Sequence, residues 1–282
     1  MVKQSDYRQP EVQACISVLV EVMTVLGEFR DNIVIVGGNV PPLLIPSAKE
    51  KHPGTLDIDL AIDYKRITDD TYKTIIKTLK SRDYYQKDGE QPYIFYRDIE
   101  SESGKKITVQ IDLLAGEYGG TGRRHRHQNV QDAKARKARG YDLVFDKPVK
   151  VKLMGTLPNG AVNEVTVNIP SIGPYLATKG MALWDRMNEK DALDIYFCCR
   201  YYPGGLSALI EDIQPLVRNR LAKEGLGKIR AKFIDINSIG PVAVADFSEL
   251  KDQEERARIQ REAFELINTL MERLGIEPFV DL

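Results

Sequence analysis

The hydrophobic pattern of this 282-residue chain changes period once, and that change limits the folds open to it. Before Pro170, short runs that alternate apolar and polar residues, or are apolar throughout, are interleaved with a few helical stripes. After Pro170 the apolar residues recur at spacings of three and four, as helices require. The pattern predicts an α+β chain. Residues 1–170 are expected to form a mixed β-sheet flanked by helices, and residues 171–282 a helical domain.

Within the first part, Val12, Cys15, Ile16, Leu19, Met23 and Leu26 fall on one stripe of a helix over 11–27, with Gly27 as its stop. IVIV at 33–36 reads as a buried strand that ends at Gly37-Gly38. LDIDLAI at 56–62 alternates as a strand. Residues 68–82 open on a Thr/Asp cap and carry Tyr72, Ile75, Ile76 and Leu79 at helical spacing. Strands are expected at 92–97 and 106–115, and a hairpin over 148–169 turned at Pro158-Asn159-Gly160. Helices are expected at about 172–187, 190–202, 205–223 and 249–274, the last stopped by Gly275.

Composition excludes several classes. Forty basic residues against forty-one acidic ones give a net charge of −1, so the chain is no uniformly basic nucleic-acid clamp. Three cysteines, Cys15, Cys198 and Cys199, are too few for a disulfide framework and have no histidines at zinc-site spacing. No stretch approaches the roughly 20 apolar residues of a membrane span, and the first residues lack the apolar core of a secretory signal. The expectation is a cytoplasmic protein with no membrane partner.

The chemistry concentrates on acids placed in apolar strands. On a strand Leu56, Ile58, Leu60 and Ile62 share one face, so Asp57 and Asp59 stand together on the other. Two like charges side by side raise each other's pKa unless a cation intervenes, and a hard ion such as Mg²⁺ prefers a few carboxylates plus phosphate oxygens. A solvated strand end would show the same pair. Two further features favour the metal. Asp112 is a lone carboxylate within VQIDLLA; if its strand neighbours 56–62, three carboxylates converge, as two-metal phosphoryl transfer requires. Upstream, glycines at 37 and 38 allow backbone amides to approach phosphates closely. No Gly-Lys-Ser/Thr follows them and no third glycine, which excludes a Walker loop and a dinucleotide fingerprint.

Strand, Gly-Gly, helix, Asp-x-Asp strand and a later strand with a third Asp resemble the nucleotidyltransferase superfamily. LATKGMALWDRMNEKDALDIYF at 176–197 resembles the Lys…Arg…Lys-Asp-x-x-Asp block of the AbiEii/AbiGii toxin family, to which MenT-like toxins belong. The resemblance covers roughly residues 33–200. It implies a nucleotidyltransferase-fold sheet and a toxin-type, Mg²⁺-dependent enzyme. Such an enzyme moves a nucleoside monophosphate from a nucleoside triphosphate to an acceptor, with release of pyrophosphate. It further implies metal binding by Asp57, Asp59 and Asp112, nucleotide contacts from Gly37, Gly38, Asn39, Arg186, Lys190 and Asp191, and catalytic parts for Lys179 and Asp194. Either one of the metal-holding carboxylates or Asp194 could serve as base toward the acceptor hydroxyl. The implied partners are an RNA acceptor, such as the tRNA 3′ end, or a protein hydroxyl, and a cognate antitoxin. Asn39 stands where the family usually carries Thr or Ser. If 176–195 is one helix, Lys179, Arg186, Lys190 and Asp194 share about a quarter of its circumference; Asn188 could instead cap a second helix.

Residues 123–139 hold seven basic residues against Asp132 alone. Arg123, Arg124 and Arg126 are candidates for a nucleic-acid backbone, the alternative being a solvated loop and helix face. His125 and His127 flank Arg126, whose charge opposes a bound cation, and His52 reads as loop. Two other functional readings accompany the enzyme: a nucleotide-binding regulatory module without turnover, and a nucleic-acid-binding adaptor built on 123–139.

Overall fold

The structure is a computed structural model that describes residues 3–101, 104–116, 127–130 and 133–281, with backbone alone at 127–130 and 133–137. The contacts divide the chain into two units. The sheet unit comprises Tyr7–Leu43 and Gly54–Pro170; the helical unit comprises Met1–Asp6, Leu44–Pro53 and Ser171–Leu282. The fold is α+β.

In chain order the sheet unit runs α1 (Gln9–Val25), β1 (Ile33–Val36), a 3-10 turn at Gly37–Asn39, α2 (Val40–Leu44), β2 (Asp57–Ile62), α3 (Asp69–Lys80), β3 (Ile94–Glu100), β4 (Lys106–Ala115), β5 (His127–Val130), β6 (Ala133–Lys137), a 3-10 turn at Tyr141–Phe145, β7 (Val149–Thr156) and β8 (Val162–Ile169). Among the described residues these strands form one sheet in the order β5-β6-β4-β2-β1-β8-β7, with β3 also paired to β4. Pairings are of both kinds: β2–β4 and β1–β8 are parallel, while β1–β2, β3–β4 and β7–β8 are antiparallel. Ile58, Leu60 and Ile62 meet Ile33, Ile35, Ile111 and Leu113 by register, and all seven are fully buried. Leu56, expected on the same face, is 37% exposed because it precedes the paired strand. Cys15, Val18, Leu19, Val22 and Met23 of α1 supply further core, and Cys15 is buried as its stripe requires. Thr68 caps α3 by accepting from the Thr71 N–H, and Gly160, at φ +86°, closes the β7–β8 hairpin.

The described parts of the basic stretch, 127–130 and 133–137, are strands and not the loop and helix face of the alternative reading: the backbones of β5 and β6 pair antiparallel, and β6 pairs parallel with β4.

The helical unit contains α4 (Ile172–Arg186), α5 (Glu189–Tyr201), α6 (Gly205–Ile213), α7 (Arg220–Lys232), α8 (Ile239–Phe247) and α9 (Gln253–Arg273). Asn188 caps α5 by accepting from the Lys190 N–H, and Met187 before it is left-handed at φ 49°. So 176–195 is two helices rather than one. The helix expected at 205–223 also breaks. A 3-10 turn at Gln214–Arg218 follows α6, and Asn219 starts α7 by accepting from the Leu221 and Ala222 N–H groups. Pro215 enforces the break, because it cannot donate within a continuing helix. Helix α8 was not anticipated from the pattern. No helix among the described residues is long and apolar enough to cross a membrane.

Helices α4 and α7 cross backbone to backbone. A methyl on Gly180 would collide with the Gly225 carbonyl, and one on Gly225 with the Ala177 carbonyl. Helix propensity alone makes Gly→Ala stabilising by about 1 kcal/mol, whereas this steric overlap opposes it. Gly225→Ala is therefore expected to destabilise by about 1–3 kcal/mol, read as a lowered midpoint in urea unfolding. A raised midpoint would show that the crossing relaxes freely.

Candidate active site

Strand pairing decides which side chains meet on the sheet. Asp59 is opposite Asp112 and Asp57 opposite Gln110 across β2–β4; Tyr96 is opposite Gln110 and Ile94 opposite Asp112 across β3–β4. Across β1–β2, Val36 is opposite Asp59 and Val34 opposite Ala61. Paired residues face one side, and residues two apart share it. One face thus carries three rows: Tyr96–Gln110–Asp57, then Ile94–Asp112–Asp59–Val36, then Leu114–Ala61–Val34. The third row is buried with Val36 beneath Val144, Tyr141 and Phe145. Asp59 and Asp112 stand on chains about 5 Å apart, with an apolar floor on one side and a polar margin on the other.

Asp57 and Asp112 are braced by hydrogen bonds. The Asp57 carbonyl accepts from Asn39 Nδ2 at 3.0 Å and from the Cys15 thiol at 3.3 Å, and Asp57 Oδ1 accepts from Thr55 Oγ1 at 2.5 Å. Gln110 Nε2 donates to Asp112 Oδ1 at 2.8 Å. Burial pushes the Cys15 thiol up, so it acts as a neutral donor. The glycine pair serves this packing directly. Gly37 has φ +69°, and a methyl there would overlap the Asp59 carboxylate; a methyl on Gly38 would lie 2.8 Å from Thr55 Cβ and Oγ1. Asn39, expected at a phosphate, has a buried side chain that donates to the Asp57 carbonyl, so it braces an acid instead. Thr55 and Gln110 were not singled out from the sequence. Gln110 lies two residues before Asp112 within β4, so strand alternation places it on the acid's face; Thr55 precedes β2 and is placed by its hydrogen bond to Asp57.

Three carboxylates, two from β2 and one from β4, are a hard-oxygen donor set of the kind divalent cations take. Among the described residues no three His, Cys, Asp or Glu side chains converge into a ready metal cage. The fit to Mg²⁺ is thus one of donor type and strand placement, with the Gly37 surface giving Asp59 room.

The Lys-Arg-Asp block lies in the helical unit as a closed ionic network. Lys179 Nζ is 2.9 Å from Asp191 Oδ1 and 2.7 Å from Asp194 Oδ2, and Lys190 Nζ pairs with Asp194 Oδ1. Arg186 grips Asp191 through Nε at 2.6 Å and Nη2 at 2.8 Å. Lys179, Lys190, Asp191 and Asp194 are all buried, whereas the Arg186 side chain is 56% exposed. Burial opposes charge on Lys179, but Asp191 and Asp194 outweigh it and raise its pKa. Burial lowers that of Lys190 despite Asp194. Burial alone would raise Asp194; Lys179 and Lys190 instead hold it well below the usual carboxylate range. An acid so stabilised as its anion has little affinity for a proton, which speaks against Asp194 as base. Two lysines each neutralised by a buried acid are likewise internal counter-ions. Arg186 is the member of the block exposed enough to meet a phosphate.

His52, read as loop, belongs to this network. Its Nε2 is 2.9 Å from Asp194 Oδ1 and 3.2 Å from Lys190 Nζ, and its ring packs edge-on against Phe197. A neutral ring can donate to the first or accept from the second through that nitrogen, not both. Its sequence signal was faint: a single histidine before Pro53-Gly54. Cys198 and Cys199 are buried free thiols with pKa pushed up by burial. Arg123, Arg124 and Arg126 lie outside the described residues.

Burial and the Lys190 charge lower the His52 pKa to about 4 from its ordinary 6.5. Between those values the unfolded chain binds the extra proton, so stability is full above pH 6.5 and falls as pH drops toward 4. The expected loss is about 3 kcal/mol. Asp191 and Asp194, whose pKa values are also lowered, extend the loss below roughly pH 4. Urea unfolding of the wild type and His52→Gln across this range checks the assignment. The variant should show a flatter limb between pH 4 and 6.5, and an unchanged limb would overturn it.

No protein-family model and no curated protein match the chain. Among solved structures it is similar to an antigenic nucleotidyltransferase-like protein from Paracoccidioides brasiliensis, at 20% identity and a TM-score of 0.43, over 82% of this chain and 93% of that one. It is also similar to a candidate nucleotidyltransferase from H. pylori, at 11% identity and a TM-score of 0.42, over 92% of this chain and 96% of that one.

Proposed function

We propose that the carboxylate row of the sheet unit is the site of a Mg²⁺-dependent nucleotidyltransferase, which moves a nucleoside monophosphate from a nucleoside triphosphate to an acceptor hydroxyl and releases pyrophosphate. The observation that carries this reading is the register that sets Asp59 beside Asp112, with Gly37 against the Asp59 carboxylate. Like charges directly opposite on neighbouring strands destabilise a sheet, and a divalent cation with its phosphate ligands reverses that sign.

Asp57, Asp59 and Asp112 would hold Mg²⁺, which when bound neutralises charge developing on the phosphoryl oxygens. Thr55 and Asn39 fix Asp57, and Gln110 fixes Asp112. Gly37, partly exposed beside Asp59, is the backbone that a phosphate oxygen would approach, while Gly38 is buried against Thr55. One of the same carboxylates takes the hydroxyl proton. The resemblance of 176–197 to the toxin block supports the finer reading: an AbiEii-type toxin whose acceptor is RNA, such as the tRNA 3′ end, or a protein hydroxyl, and which has a cognate antitoxin.

The test is incubation of the purified protein with Mg²⁺, each labelled nucleoside triphosphate, and total RNA or protein. Label transfer is expected, and Asp57→Ala/Asp59→Ala or chelation of the metal should reduce it roughly 10³-fold or more. Undiminished transfer by the variant would sink the site. Tight triphosphate binding without pyrophosphate release would favour the regulatory module instead.

A further inference from the structure

Beside the carboxylate row lies a cavity of about 390 Å³ walled by Tyr7, Thr55, Asp57, Lys87, Tyr96, Thr108, Gln110 and the half-exposed Leu56. Its floor is the polar row, since Asp57, Tyr96, Gln110 and Thr108 alternate onto one face, with Thr55 bonded to Asp57 at its edge. Its rim comes from the segment between α3 and β3. There Glu90 accepts from the Tyr96 hydroxyl, and Lys87 Nζ rests 3.6 Å from the centre of the Tyr96 ring. Lys87 is exposed, and among the described residues no acid forms a salt bridge with it. Gln110 links the cavity to the acids, because it lines the one and donates to Asp112 in the other.

The order of strands assigns a side to each reactant. Gly37 follows β1 and adjoins Asp59 from that side, whereas Gly38 packs on Thr55; the cavity opens over β4 and β3, on the far side of Asp59. In-line displacement at phosphorus needs the attacking and leaving oxygens on opposite sides. With the triphosphate's leaving end against Gly37, the far side falls to the attacking hydroxyl. An exposed ammonium at that place suits a molecule carrying a phosphate next to the hydroxyl. The Thr108 hydroxyl donates to Asp98 and Gln110 Nε2 to Asp112, which leaves the Thr108 and Gln110 oxygens as acceptors for a sugar hydroxyl.

Resting on the nucleotidyltransferase reading, we propose that this cavity is the acceptor subsite, that it takes the hydroxyl-bearing end of a nucleotide chain, and that Lys87 is the residue that meets the acceptor's phosphate. In the reaction the acceptor oxygen bonds to the α-phosphorus, and the bond from that phosphorus to the α–β bridging oxygen breaks. Pyrophosphate leaves with the electron pair, and the hydroxyl proton passes to a carboxylate of the row.

The test uses the full chain, Mg²⁺, a non-hydrolysable triphosphate and, as probe, a 5′-phosphorylated ribodinucleotide with a free 3′ hydroxyl. Calorimetry reads binding of the probe and of the triphosphate separately. Lys87→Ala is expected to weaken the dinucleotide about tenfold or more, Lys87→Glu further, and Lys87→Arg to restore it, with triphosphate affinity within about twofold throughout. In transfer assays the loss should fall on the acceptor KM rather than on kcat. Weakened triphosphate binding with unchanged dinucleotide binding would assign the cavity to the donor nucleotide and overturn the proposal. So would dinucleotide binding indifferent to Lys87, or a wild type that binds no dinucleotide and labels only protein hydroxyls. Because dinucleotide binding is read without turnover, absence of all transfer tests the enzyme reading, while the Lys87 series still decides this one.

Discussion

The parallel pairing of β2 with β4 is the constraint on which the rest of the sheet unit depends. It sets Asp59 opposite Asp112 and Asp57 opposite Gln110, and the same register sets Ile58 against Ile111 and Leu60 against Leu113 on the other face. A slip of one residue would send the acids into the core and the isoleucines into water. Burial of those apolar pairs, worth roughly 1.5–3 kcal/mol per large side chain, therefore fixes the position of the carboxylates. The acids themselves repel and do not hold the register; the hydrophobic face holds it for them. Around them the chain supplies rigid neighbours: Thr55 and Asn39 on Asp57, Gln110 on Asp112, and two glycines whose missing side chains make room.

The helical unit solves a different electrostatic problem. Lys179, Lys190, Asp191 and Asp194 are buried together, where an isolated charge is strongly unfavourable. Each lysine touches at least one acid and each acid at least one cation, so no member carries its charge alone. Removing one partner from such a set typically costs about 3–5 kcal/mol, because the charge left behind remains buried. The network joins α4 to α5 across the break at Met187, and through His52 it also ties in the segment 44–53. A motif that looks like a cationic ligand surface in one dimension is thus largely self-neutralised in three.

Much of the fold was legible. Strict alternation in 56–62, an apolar stripe over 11–27 and cap residues at Thr68 appear as the elements they predict, because local periodicity and capping are short-range properties. The pairing partner of Asp112 was legible only as a condition, since adjacency of strands some 50 residues apart depends on topology. Thr55 and Gln110 escaped notice because Thr and Gln are common on exposed strand faces; they gain meaning from the acid beside them. His52 escaped because no local pattern marks a histidine whose partner is 142 residues away.

The sequence by itself determined which residues alternate, where glycine and proline interrupt, and that three acids sit inside apolar strands. Those facts follow from side-chain chemistry and backbone period, which need no distant partner. The tertiary structure decided which acids stand side by side, which cations are consumed by buried counter-ions and which remain exposed. Proximity and burial are set by strand order and helix packing, so a carboxylate or an ammonium acquires its pKa, its partners and its possible chemistry only once the chain has folded around it.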